Sequence, residues 1–447
     1  MTELRLTPIR CAYDPSEIKD LEAAAAAEFQ GCQNIFSDLP AGGRIALTVG
    51  SRGITNIARI VKAAAAELRQ RGFRPFIIPA MGSHGGATAP GQAAILADYG
   101  ITEETMGVPV VSSMDTVELP AAPDGTRVFM SRDAWKADGV VLINRIKAHT
   151  DFHGDYESGL MKMAVIGLGK HSQALEIHSY GIQGLRERIG PVAAAVLGTG
   201  KILAGLGIVE NAYDRTCVLR LIPQALIPSS EKELLAISKS KMPRLPADNL
   251  DLLIIDEMGK NISGVGMDPN IIGRMRVRGQ AEPTYPRISS ILVCSLTPES
   301  HGNALGVGLA DVTLRSLFDS IDYGATMANG ITSGFLDRAK IPLMAEHARQ
   351  GVEIALRSAP VRDWTKARII RIRNTLRLDE ILVSEALLPE LKAQSTVEVL
   401  GAAQDAFEGT SLSPLRFGGT ASGGSSHGGP APGGGTAPGG PAHGGGR

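Results

Sequence analysis

The sequence predicts an α/β protein of two domains with mainly parallel sheets flanked by helices, followed by a disordered Gly/Pro-rich C-terminal tail. Three observations carry this expectation. Short apolar runs of strand length alternate with stretches of helical periodicity. Gly-rich loops of a few residues join them, as in βαβ units. A Pro-rich stretch at 242–246 precedes a second series of apolar runs, which divides the chain into 1–245 and 246–417.

Taken in order, RIALTV at 44–49 reads as a buried strand and 50–53 as a loop. Residues 55–71 read as a helix, with Ile57, Ile60, Val61, Ala64 and Leu68 at helical spacing and Gly72 as its stop. A strand at 74–79, a Gly-rich loop at 81–90 and a helix at 91–99 complete a βαβ pattern, and GVVLIN at 139–144 is a further buried strand. In parallel sheets ligands sit beyond the carboxyl ends of the strands, so the loops after Val49, Pro79 and Asn144 are candidates for one shared site. In the second half, 250–255 (LDLLII), 290–295 and 367–372 read as strands. From 418 to 447 the chain is almost wholly Gly, Ala, Pro, Ser, Thr and His, too poor in apolar groups to offset the entropy of ordering. His427 and His443 fall within this tail and read as solvated residues.

Composition narrows the function. Of 447 residues, 43% are hydrophobic, enough for sizeable cores. The 45 basic and 46 acidic residues nearly cancel, leaving no broad basic footprint for nucleic acid or anionic membrane. Cys11, Cys32, Cys217 and Cys294 are widely spaced, which argues for small apolar residues rather than a disulfide framework or a cysteine zinc site. The N-terminus lacks a secretory apolar core, and no apolar run is long enough to span a membrane. A cytoplasmic location is the expectation.

Two segments concentrate chemistry. In AMGSHGGAT (80–88) glycines flank His84, letting the backbone turn tightly near a ligand. His84 is placed either for proton transfer or simply to hydrogen-bond its loop. Residues 145–178 hold four of the nine histidines, His149, His153, His171 and His178, among Asp151, Asp155, Glu157 and Lys147, Lys162 and Lys170. His149 and His153 are four apart, a spacing that chelates zinc on a helix, yet the intervening residues lack the Glu of a zinc-protease helix. His153 also reads as an exposed loop residue and His171 as a helix-start surface residue. GLGK (167–170) and GTGK (198–201) lack the full phosphate-loop pattern, which disfavours a nucleotide triphosphatase.

Arg52 after a strand, His84 in its Gly-rich loop, and His149, Lys162 and His178 in order resemble the lactate racemase family, as do the phrases KAHTDF, ESGLMKM and IGLGK. His178 follows Lys162 by 16 positions, the family's spacing between the cofactor-bearing lysine and the nickel-ligating histidine. The resemblance covers roughly residues 40–350 and implies a two-domain protein with its active site in the interdomain cleft. It implies a nickel-pincer nucleotide, a pyridinium mononucleotide whose thio-acid groups grip nickel. Lys162 would be its covalent attachment point and His178 its nickel ligand. His84 and His149 would be the paired bases, and Arg52 would hold the substrate carboxylate. The implied reaction is racemisation or epimerisation of a 2-hydroxy acid or sugar acid by reversible hydride transfer, while a base takes the hydroxyl proton. The implied partners are the hydroxy acid and the cofactor-building enzymes.

Val49 stands where the family has an Asp, and His149 precedes Lys162 by 13 positions, a longer interval than in lactate racemases. These departures point to a branch distinct from true lactate racemases and leave His149 or His153 as the second base, with His149 favoured. Lys260, in a polar loop after a strand, is a substrate-binding candidate or a surface residue; Asn303, Asp311 and Asn329 sit in comparable loops. The competing readings are a metal-dependent hydrolase or lyase using the histidine cluster, and a non-catalytic binding homologue.

Overall fold

The computed structural model describes residues 4–51 and 53–417. The 418–447 tail and Arg52 lie outside the described residues. The chain divides into two compact units. The N-terminal unit comprises Ser16–Ala148 and His153–Ser240; the C-terminal unit comprises the segment ending at Pro15, the four residues His149–Phe152, and the chain from Lys241 onward. Late in the chain the unit changes at 240/241. The first strand, β1 (Arg5–Cys11), and His149–Phe152 depart from that simple division, because their contacts are with the C-terminal unit.

The N-terminal unit has one five-stranded sheet and a small hairpin. Its strands are β2 (Arg44–Val49), β3 (Arg74–Pro79), the hairpin β4 (Thr116–Leu119) and β5 (Val128–Ser131), then β6 (Gly139–Arg145), β7 (Ile202–Glu210) and β8 (Thr216–Pro223). The sheet order is β3-β2-β6-β7-β8, parallel except for the antiparallel β7/β8 pair. Between β2 and β3 runs the expected helix, Ile57–Gln70, burying Ile57, Ile60, Val61, Ala64 and Leu68. That apolar stripe packs with Ile45, Leu47 and Val49 of β2 in one core, which also holds the stacked rings of Phe29 and Phe36.

The C-terminal unit is built on β1, β9 (Asn249–Ile255), β10 (Arg287–Val293), β11 (Val312–Leu314), β12 (Leu343–Ala345), β13 (Ile369–Ile372), β14 (Glu380–Ser384), β15 (Val397–Val399) and β16 (Gln404–Asp405). The order is β12-β11-β10-β9-β13-β14-β1-β15, with β16 also pairing β1. The run from β12 to β13 is parallel, and β14, β1 and β15 pair antiparallel. Alternate residues of β9 enter two cores, Leu253 and Ile255 on one face and Leu252 and Ile254 on the other. Burial on both faces is why this strand reads as a continuous apolar run rather than an alternating one. The two buried cysteines, Cys11 and Cys294, and the half-buried Cys32 and Cys217 are all free thiols. No described helix is long and apolar enough to cross a membrane.

Candidate functional site

The carboxyl ends of β2, β3 and β6 all meet one helical segment of the N-terminal unit, Leu160–Lys162 continued by the π-helix Met163–Gly167. After β2, Gly50 lies so close that a Cβ there would stand 3.2 Å from Met163 Cε. After β3, the Ala80 carbonyl oxygen would be 2.8 Å from a Cβ on Gly167. Near the end of β6, Asn144 Nδ2 donates to the Gly159 carbonyl at 2.8 Å. The carboxyl ends of the three strands therefore converge on this segment. A π-helix is rare, and such segments recur at functional sites because the wider turn re-aims side chains.

The loop after β2 is tied down on both sides of Arg52. The Tyr99 hydroxyl donates to the Ser51 carbonyl at 2.6 Å, and the Thr55 amide donates to Glu210 Oε1 at 2.7 Å. Glu210 also pairs with Arg145 at the end of β6.

His84 sits at the tip of the loop after β3, exposed. Gly82 has φ +60°, and a Cβ there would come within 2.8 Å of Ile166 Cγ2, so only glycine lets the loop lie on the π-helix. The buried Gln92 amide donates to the carbonyls of Gly82 at 2.9 Å and His84 at 3.2 Å, which fixes the loop from below. His84 Nδ1 lies 2.8 Å from the Met81 carbonyl. A carbonyl only accepts, so Nδ1 carries the proton and the neutral ring has its lone pair on Nε2. The loop-bonding and proton-transfer readings are thus compatible in one tautomer.

Lys162 is half-buried at the end of its helical turn. That turn is capped from below by Glu231, wholly buried on the Ile227–Lys241 helix, whose Oε2 accepts the Met161 amide at 2.7 Å. Burial pushes the Glu231 carboxyl up to about 7, partly offset by the amides of Met161 and Leu160. Beyond the π-helix the backbone turns through Lys170 at φ +54° into the helix Lys170–Ser179. Lys170 is buried; its Nζ donates to the Pro79 carbonyl at 2.5 Å, and burial pulls its amine down to about 8. His178 is exposed in the last turn of this helix, where the carbonyl ends favour a cation. The glycines of GLGK serve packing, since a Cβ on Gly169 would stand 2.2 Å from Gln173 Cβ. Lys201 of GTGK donates to the Ala137 carbonyl at 2.9 Å.

His149 belongs to the C-terminal unit. Its ring lies 4.4 Å from that of Phe152, and its Nδ1 accepts the Asp151 amide at 3.0 Å. His153, in the N-terminal unit, lies 3.4 Å from Glu157, a buried carboxylate that also binds Lys239 at 2.6 Å. Glu157 thus gives His153 a structural partner within its own unit. Among the described residues no group of three or more His, Cys, Asp or Glu side chains is placed to hold a metal.

Lys260 follows β9 and is half-buried rather than a surface residue. Its Nζ donates to Asn329 Oδ1 at 2.6 Å and to the Gly264 carbonyl at 2.8 Å, while Asn303 Nδ2 donates to the same Asn329 oxygen at 3.2 Å. The loops of the C-terminal unit thus bring Lys260, Asn303 and Asn329 together. Asp311 is instead bound to Arg274 and Arg276.

Neither Lys170 nor Glu231 has a role assigned from the sequence. Lys170 was visible within a dense cluster, whereas nothing in the helix sequence around Glu231 marks it as buried.

No family model matches the sequence, and no curated protein matches it. Among solved structures, the fold is similar to that of the lactate racemase apoprotein from Thermoanaerobacterium thermosaccharolyticum. The two share 13% identity and a TM-score of 0.50, over 83% of this chain and 99% of that one. At this identity the likeness is one of fold, and it extends along nearly the whole of that protein.

Proposed function

We propose that this protein is a racemase or epimerase of a 2-hydroxy acid that works with a lysine-tethered nickel-pincer nucleotide. The observation that carries the reading is the seat of the His84 loop on the helical segment of Lys162, made through Gly82 against Ile166. It joins a candidate proton acceptor to the candidate attachment point within one unit of a lactate racemase-like fold.

The residues present fit such a group. Lys162 offers a primary amine for attachment, and His178 offers one imidazole at a helix end that favours a cation. A nickel ion gripped chiefly by its own nucleotide would need only one protein ligand, which His178 would supply. When bound, the group supplies a reversible hydride acceptor. The chain supplies the rest. His84 Nε2 takes the substrate hydroxyl proton, which its tautomer permits without rearrangement. His149 handles the proton for the opposite isomer. Arg52 binds the carboxylate through its two-pronged donor geometry, and Lys260 with Asn329 binds a further polar group of the substrate.

The test is intact mass and nickel content of protein co-produced with the cofactor-building enzymes. The expected result is an adduct of about a nucleotide's mass that disappears in Lys162→Ala. His84→Ala should keep the adduct and lose turnover of hydroxy acids. No adduct, while a lactate racemase control loads normally, would overturn the proposal.

A further inference from the structure

His149 is held unlike His84, and the difference leads to Asp151 and Arg338. The His149 ring accepts the Asp151 amide on Nδ1 at 3.0 Å, so the neutral ring carries its proton on Nε2. In that state Nε2 has no lone pair and cannot take a proton from substrate. The Asp151 carboxylate lies beside the same ring nitrogen, with Oδ2 3.7 Å from Nδ1.

The carboxylate is itself fixed with unusual care. Arg338 is wholly buried; its Nη1 donates to Asp151 Oδ1 at 2.5 Å, its Nη2 to the Thr150 carbonyl at 3.1 Å and its Nε to the Met275 carbonyl at 2.8 Å. Its guanidinium also lies 4.6 Å from the Phe335 ring centroid. Gln280 donates to the Asp151 carbonyl at 2.7 Å, and Asn270 donates to the His149 carbonyl at 3.1 Å. A wholly buried guanidinium is costly unless its donors are met, and here both Nη groups donate to the four-residue segment that bears His149.

We infer that Asp151 is a two-way positioning residue for His149, its backbone N–H holding the ring at rest and its carboxylate, oriented by Arg338, holding the ring for proton transfer. The inference rests on the racemase reading for the use to which His149 is put.

The proton count is closed. At rest the lone pair is on Nδ1, so one proton taken up there from solvent before the first turnover gives the imidazolium, and Nδ1–H can no longer accept the amide. The ring moves by roughly the excess of 3.7 Å over a hydrogen-bond length, and Nδ1–H then donates to Asp151 Oδ2. From this state Nε2–H is given to a substrate oxygen, leaving a neutral ring with Nδ1–H on the carboxylate and the lone pair on Nε2. That ring accepts the proton of the opposite isomer on Nε2, so Asp151 stays ionised throughout. A carboxylate that orients a histidine without taking its proton is an established catalytic arrangement.

The test is a long-range 1H–15N correlation of the imidazoles in 15N-histidine-labelled full-length protein, with His149 assigned by its loss in His149→Gln. At high pH the neutral wild-type ring should show the Nε2–H tautomer; an Nδ1–H neutral ring would overturn the resting arrangement. In Asp151→Asn the backbone N–H remains and the charge is lost. The His149 titration midpoint should therefore fall by about one pH unit, while that of His84 stays put. Loaded Asp151→Asn enzyme should lose about tenfold or more in kcat with KM little changed. If Asp151→Asn does not fold, Arg338→Lys keeps the charge but loses the fork, and should lower the same midpoint in part. An unmoved His149 midpoint in whichever variant folds would overturn the proposal. The imidazole signals need no bound cofactor. A shifted midpoint without hydroxy acid turnover would thus retain the Asp151 arrangement and refute the racemase reading.

Discussion

Replacing Glu231 by glutamine probes the floor beneath Lys162. The Glu231 side chain is wholly buried, and its Oε2 accepts the Met161 amide at the start of the lysine-bearing turn. A Cβ on Gly159 would stand 2.4 Å from Oε1, so the carboxyl is pressed against the turn it caps. Its folded value of about 7 exceeds the ordinary 4.5. The unfolded chain therefore ionises first, and stability is lost as pH rises from about 4.5 to about 7, with no loss below that window. The gap corresponds to about 3 kcal/mol at pH 8. Glutamine cannot ionise, so any cost of its amide is the same at every pH. Relative to wild type, Glu231→Gln should be about 2–3 kcal/mol better at pH 8 than at pH 5. The assay is urea unfolding followed by Trp135, which lies in the N-terminal unit, in a Trp364→Phe background. Equal effects at pH 5 and pH 8 would refute the argument that Glu231 is ionised against burial.

Lys170→Met should flatten a second pH dependence. The buried amine is down at about 8, so wild-type stability should rise between about pH 8 and 10.5 as the unfolded chain also loses its proton, and the variant should lack that rise in urea unfolding. Gly82→Ala should lower stability by about 1–3 kcal/mol, read as a fall in Tm, because it combines a left-handed backbone with a clash on Ile166. Arg371→Leu should cost about 3–5 kcal/mol in urea unfolding, since it strands Asp256, which Arg371 grips at 2.8 and 2.9 Å.

What the sequence made legible follows the range of the forces involved. The bounds of β2 and β3 match the apolar runs, because parallel strands covered on both faces leave no room for polar residues. The Gly-rich loop of His84 was legible because its glycines answer to local backbone geometry. By contrast β1 pairs Leu6 with Ser384 and Ile9 with Ile381, partners more than 370 residues away that no local pattern announces. The string KAHTDFHG is contiguous, yet His149 and His153 fall in different units: Arg338 binds Thr150 and Asp151 beside the first, and Glu157 lies against the second. The burial of Glu231 and Lys170 was not legible for a single reason: composition marks charged residues as exposed, and these two are buried by partners on other elements. Lys260 was visible alone, whereas Asn303 and Asn329 acquire meaning only when separate loops meet it.

The division of the chain has a consequence for exchanging parts between relatives. Because β1 and His149–Phe152 pack with the C-terminal unit, neither unit is one continuous stretch of sequence. A C-terminal half transplanted at residue 241 would arrive without the strand that covers β14 and without the loop on which Arg338 spends its donors. Shuffling that respects the packing needs three inserts, ending at Pro15, spanning His149–Phe152 and beginning at Lys241. Under that constraint, exchanging either unit whole means exchanging short pieces that interrupt the sequence of the other.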